Sequence, residues 1–268
     1  MRDLDEFEDG LIEGFRNHPM LRGVTELSPE DLRAVLLQRR FLSLAFTMAY
    51  DLAIDLLTDE QSVRIARVIV REEYPDNSSP GSTPSHREDL MTDILALGVP
   101  RETLVRSRRS LATTACLDTT MELISSAGDS KHADVELLTI LRFWGEVLVS
   151  VEYGELWRRI GPVLGDKSVF YYPHHVHDAK SRPLAAASPL SLTHSDQLGL
   201  RLVQLIDSEQ ARERFRETEK AVVAVKTAFY DQFQGVGGGG WGGNPPRPPR
   251  PPQPPPPPGP RPRPPNKK

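Results

Sequence analysis

The chain has 268 residues and a net charge of −4, with 38% hydrophobic and 26% charged residues. From Gly235 onward it is nearly all Gly, Pro and basic residues, with four Arg, two Lys and no acid. Removing that tail leaves a body near −10, which excludes nucleic acid as the main partner because phosphate binding needs a basic surface.

In chain order, Phe7, Leu11 and Phe15 recur at steps of four and make one apolar helical stripe. Ser28-Pro29-Glu30-Asp31 is a helix start: Ser caps, Pro suits the first turn, and acids favour the positive end of the dipole. The pattern then runs to about Leu57. Thr58 to Gln61 has the form of a capping box and opens a helix ending near Tyr74-Pro75. Residues 75–84 read as a loop. Apolar spacing resumes at Leu90, Ile94 and Leu97 and stops at Gly98-Val99-Pro100. Long helices are expected over about 101–126 and 132–160, then a break from Gly161 to about Thr193, then helices from Ser195 and from Ser208 to Phe233. No strict alternation long enough for a sheet is seen, so the expected class is all-α, a bundle of about seven helices over residues 1–234. Residues 235–268 read as a disordered Gly/Pro/Arg-rich tail, a flexible joint followed by a polyproline II rod.

The single cysteine, Cys116, rules out an internal disulfide framework and Cys-rich zinc modules. The opening residues are acidic and lack an apolar core of signal-peptide length, and no run reaches the ~18 apolar residues of a membrane span. A cytoplasmic location is the expectation.

Three groups can carry chemistry. Glu72 and Glu73 end one helix and His86 begins the next, so the loop can bring a carboxylate and an imidazole together, a pair that suits Fe, Mn or Zn. Glu152 shares a helix face with Leu141, Gly145, Leu148 and Leu156, and a buried carboxylate there needs a partner or a metal. Glu146 is the less attractive acid, because Arg142 one turn away offers it a salt bridge. The densest signal is Tyr171 to Asp178, which holds His174, His175 and His177, with His194 about one loop downstream. His18 and His132 read as surface residues. No P-loop, GxSxG or HExxH pattern occurs, and no Glu-x-x-His pair; the glycine run at Gly237 to Gly240 reads as linker rather than a dinucleotide-binding turn, since no strand precedes it and no helix follows.

The order of these groups resembles the haem-oxygenase-like non-haem diiron oxidase and oxygenase family. Arg71-Glu72-Glu73-Tyr74 followed by His86-Arg87-Glu88-Asp89-Leu90 looks like that family's first Glu…His helix pair. Val151-Glu152-Tyr153 is similar to its second glutamate helix, and Phe170-Tyr171-Tyr172-Pro173-His174 with Asp178 matches its aromatic-x-x-His-x-x-x-Asp run. The family's last histidine falls three positions after the aspartate, where this chain has Ser181; either His177 or His194 takes that role, and His194 is favoured because Leu198, Leu202 and Leu205 follow it. Glu73 is favoured over Glu72 because Tyr74 follows it directly. The resemblance implies two Fe(II) per chain held by Glu73, His86, Glu152, His174, Asp178 and His194, with Glu152 bridging. It implies O2-dependent oxidation of a small molecule such as an amino acid or fatty acid, in specialised biosynthesis, with an external electron donor and a homodimer among its options and neither nucleic acid nor membrane as partner. Arg39, Arg40 and Arg142 are the candidate cations for an acidic substrate. The alternatives are a metal-independent, thiaminase-like enzyme using Cys116 and a non-enzymatic interaction protein working through the Pro-rich tail.

Overall fold

The computed structural model describes residues 1–75, 84–177, 180, 183–184 and 193–234. The proline-rich tail and Asp178 therefore lie outside the described residues. Among those described, every regular element is helical: α1 (Arg2–Arg16), α2 (Pro19–Arg22), α3 (Pro29–Leu56), α4 (Glu60–Glu72), α5 (His86–Ala96), α6 (Arg101–Arg106), α7 (Leu111–Gly128), α8 (Ala133–Arg142), α9 (Leu148–Leu164), α10 (Tyr171–His177), α11 (His194–Leu205) and α12 (Glu209–Asp231). None is long and apolar enough to cross a membrane.

Serine, threonine and aspartate caps set most helix starts. Ser28 accepts from the Asp31 amide, Asp59 from Ser62, Ser110 from Thr113, Thr193 from Asp196 and Ser208 from Ala211. Gly98 takes a φ of +81°, which ends α5 where a side chain would be strained. There are more helices than the seven expected because short breaks divide long apolar patterns. The expected helix over 101–126 is split where Ser107 turns extended and Ser110 caps a new start. The expected break after Gly161 contains α10, so the aromatic and histidine run is helical rather than loop.

The centre of the bundle is the rod formed by α8 and α9, joined through a π-helical turn, Phe143–Val147. Every residue from Leu137 to Tyr153 is buried. A helix buried all round has no face for solvated charge, so each charged group on it needs an internal partner. Helices α3, α7, α11 and α12 pack around α8 and α10 packs on α9. Three charged side chains sit on this buried stretch, Arg142, Glu146 and Glu152, and their partners organise the molecule.

Candidate metal centre

Arg142 does not pair with Glu146 as its helical spacing suggests. Its guanidinium turns to Glu8 of α1, donating to both carboxylate oxygens, and to the Ser195 carbonyl at 3.0 Å. That leaves Glu146 for other partners. The π turn lets it face α3 and α11: a π turn shifts helical phase, so the 3.6-residue spacing that groups Glu146 with Arg142 does not hold across residues 143–147. Tyr50 donates to Glu146 Oε1 at 2.5 Å, and His194 Nδ1 lies 3.6 Å from Glu146 Oε2. Gly145 makes this approach feasible, since a Cβ there would meet the Tyr50 ring at 3.0 Å.

The end of α4 supplies two acids to two different histidines. Glu73 Oε1 lies 2.8 Å from His86 Nδ1, and Glu72 Oε2 lies 3.2 Å from His194 Nε2. The choice between Glu72 and Glu73 therefore dissolves, because each faces its own imidazole. His86 is held at the first turn of α5 by a capping box between Ser85 and Glu88. His174 joins it from α10, with ring centroids 4.7 Å apart. Glu73, His86 and His174 each offer one ligand atom within 4.8 Å of the others, the one such cluster among the described residues.

Asp93 brings α5 and α10 together. Its buried carboxylate accepts from the amides of Val169, Phe170 and Tyr171 at 3.0–3.1 Å and from the Ser168 hydroxyl at 2.7 Å. It thus caps the start of α10 from a neighbouring helix, two turns along from His86. Nothing in the local sequence distinguishes Asp93 from a solvated acid.

The imidazoles are prepared differently. His174 Nδ1 lies 2.8 Å from the Phe170 carbonyl, so it must donate, and Nε2 keeps the lone pair that a metal requires. Burial first, then the neighbouring His86 charge, pushes His174 down to about 3, so it is neutral at any physiological pH. Burial also pulls His86 down, but the Glu73 hydrogen bond and charge, with Asp89 and Glu72, outweigh it and raise His86 above its ordinary value.

Glu152 takes a different place from its expected one. It is fully buried, and its two oxygens are engaged by Arg39 Nε at 2.6 Å and Lys226 Nζ at 2.9 Å. It is not among the clustered ligand atoms. The acid of the rod that approaches a candidate histidine is Glu146, which faces His194 although sequence spacing assigns it to Arg142. His175 packs against Gly154, away from the cluster, with its carbonyl accepting from Ser150 at 2.9 Å. His18 is buried rather than surface: it caps α2 and reaches Asp231 at 3.1 Å.

Five of these groups, Glu73, His86, Glu146, His174 and His194, line one cavity of about 320 Å³, to which Arg39, Arg87 and Lys226 add positive charge. Leu42, Phe46, Ile69, Leu90, Trp144 and Val149 contribute most of its apolar surface. Its size and mixed lining suit a small-molecule site. Carboxylate oxygens and imidazole nitrogens are the donors that iron and manganese take, and His174 is already in the neutral tautomer, so the set fits a non-haem iron centre.

No family model matches the chain, and no curated protein does. Solved structures do. A domain of unknown function with a haem-oxygenase-like fold from Shewanella denitrificans is 14% identical, covering 87% of this chain and 90% of that chain, with a TM-score of 0.63. A TenA homolog from Pseudomonas syringae is 11% identical, covering 87% and 91%, with a TM-score of 0.63. A CADD-like protein of unknown function from Nostoc punctiforme is 12% identical, covering 87% and 97%, with a TM-score of 0.60. At such identities the likeness is one of fold, and this chain has a haem-oxygenase-like fold.

Proposed function

We propose that this chain is an O2-dependent non-haem diiron oxidase or oxygenase acting on a small molecule in the central cavity. The observation that carries the reading is the paired arrangement at the end of α4, where Glu73 meets His86 and Glu72 meets His194. Glu73, His86 and His174 would hold one ion; His194, Glu146 and Glu72 would hold the second, to which Asp178, outside the described residues, is a further candidate. Two ferrous ions bound there would supply electrons to activate O2. The chain's own contribution is preparation. Tyr50 fixes the Glu146 carboxylate, the Phe170 carbonyl fixes the His174 tautomer, and apolar side chains limit water in the cavity.

The thiol alternative finds no support at Cys116. That residue is 5% exposed and lies in α7, and burial pushes its thiol up to about 11. It is not among the cavity-lining residues.

The test is anaerobic Fe(II) loading of the full chain, then exposure to O2. The expected result is binding of two irons per chain and O2 uptake faster than with free Fe(II) alone. Absence of stoichiometric iron binding would reject the reading.

A further inference from the structure

The body of the chain is acidic, but one part of its surface is basic. The segment from Arg101 to Leu111, covering α6 and the turn into α7, carries four arginines and a single acid, Glu102. All five of these charged side chains are exposed. Glu102 pairs with Arg106 at 3.0 Å, and Arg101, Arg108 and Arg109 have no ion pair among the described residues. Two more arginines adjoin them. Arg40 of α3 donates to the Ser107 hydroxyl at 3.1 Å, and burial and then the charge of Arg87 hold Arg40 below its ordinary value. The neighbouring acids are otherwise engaged. Glu88 accepts from Ser85 at the start of α5, Asp89 lies in the field of His86, and Asp231 turns to His18 at 3.1 Å.

The same segment holds out apolar side chains. Val105 and Leu111 bracket the turn and are 67% and 81% exposed, the two most exposed large apolar side chains among the described residues. The backbone that carries them is pinned. Leu104 is buried, and Gln38 of α3 donates to the Arg108 carbonyl at 2.9 Å and accepts from the Ser110 amide at 3.0 Å. A segment fixed in this way presents its side chains at little ordering cost. One exposed aliphatic residue is ordinary. Two beside unpaired arginines combine the attractions that hold a peripheral protein on an anionic bilayer.

We propose that the Arg101–Leu111 surface docks on an anionic lipid bilayer, with Arg101, Arg108 and Arg109 on the headgroups and Val105 and Leu111 entering the acyl boundary. At such exposure neither apolar side chain sits in a groove, so a protein partner would have to supply two pockets, while acyl chains accept them without a preformed shape. The chain's own tail does not fit as the cover, because its charges are also basic. That tail begins three residues after Gln232, which accepts from Ser110 at 2.6 Å, so its six cations start beside this surface and favour an extended anionic plane. Aliphatic tips offer nucleic acid no stacking platform, and the acidic body repels phosphate. The resemblance implies no membrane partner and no described helix spans one, so the docking is peripheral. It rests on neither the cavity nor iron.

The test sediments the full-length chain with vesicles of phosphatidylcholine alone and of phosphatidylcholine with about one-third phosphatidylserine, at about 0.1 M salt. The expected result is binding to the anionic vesicles about tenfold or more tighter than to the neutral ones. Arg108→Gln with Arg109→Gln weakens it by about tenfold or more, since each arginine near such a surface contributes about fivefold. Val105→Ser with Leu111→Ser weakens it by about tenfold. All four positions are exposed, and circular dichroism checks that the fold is kept. Equal binding to both vesicles, or binding to neither, would overturn the inference. So would an anionic preference untouched by the arginine substitutions, which would assign the charge to the tail. A preference that needs Arg108 and Arg109 but ignores Val105 and Leu111 would also overturn it, because the surface would then fit an acidic protein face.

Discussion

At the scale of single residues, the site depends on how each buried charge finds a partner. Glu146 keeps its carboxylate aimed at His194 because Tyr50 donates to the other oxygen. Tyr50→Phe therefore leaves a buried carboxylate one hydrogen bond short. We expect a loss of about 1.5–3 kcal/mol in denaturant unfolding, together with weaker binding of one iron in metal analysis. Lys226 provides a pH-dependent prediction. Burial, opposed in part by Glu152, lowers it to about 8 from an ordinary 10.5. Between those values the unfolded chain binds the proton and the folded chain does not, so this group makes stability rise with pH across that window. Unfolding curves at pH 8 and 10 should show a larger gain for the wild type than for Lys226→Met, and an equal gain would place the lysine's charge elsewhere.

At the scale of elements, the key join is α5 to α10. Asp93 holds four donors from the segment leading into α10, so it fixes His174 opposite His86. Asp93→Ala should cost about 3 kcal/mol or more and speed hydrogen exchange at the Val169, Phe170 and Tyr171 amides, with weaker iron binding. Unchanged exchange there would mean that α10 is held by its ring contacts alone. Helix starts were readable from sequence because capping is local: Ser28 caps through the Asp31 amide as expected, and the box expected over Thr58 to Gln61 shifts by one residue, Asp59 capping through Ser62 while Thr58 turns to Asp134. Glu73 and His86 were readable for a related reason, since they flank one loop. Glu146 was not. Its role depends on the π turn, which no side-chain period announces, and on Arg142 leaving for Glu8, 134 residues away in the chain. Asp93 and Lys226 were missed for the same reason, because each acts across helices distant in sequence.

At the scale of the whole molecule, a buried charge network ties the outer helices to the central rod. Arg142 joins Glu8 of α1 and the Ser195 carbonyl of α11, and Glu219 of α12 lies 3.9 Å away. Burial, then the Glu8 charge, holds Glu219 well above the usual carboxylate range, so it stays protonated while Glu8 remains the anion. Lys180 adds a second contact to Glu8 at 2.7 Å. Arg142→Met should destabilise the fold by about 3 kcal/mol, because it leaves the buried Glu8 carboxylate with Lys180 as its remaining cation. It should also weaken iron binding, since Ser195 follows His194 directly. The all-α fold needs this network as well as its apolar core, because the middle of the rod, residues 137–153, is buried on every side and carries Arg142, Glu146 and Glu152. The central claim is that Glu146, rather than Glu152, is the rod's metal-binding acid. The most direct measurement is the iron content of anaerobically loaded Glu146→Gln and Glu152→Gln, each checked for folding. The account predicts that Glu146→Gln loses iron and folded Glu152→Gln keeps the wild-type content. Full iron in Glu146→Gln, or loss confined to a folded Glu152→Gln, would contradict it.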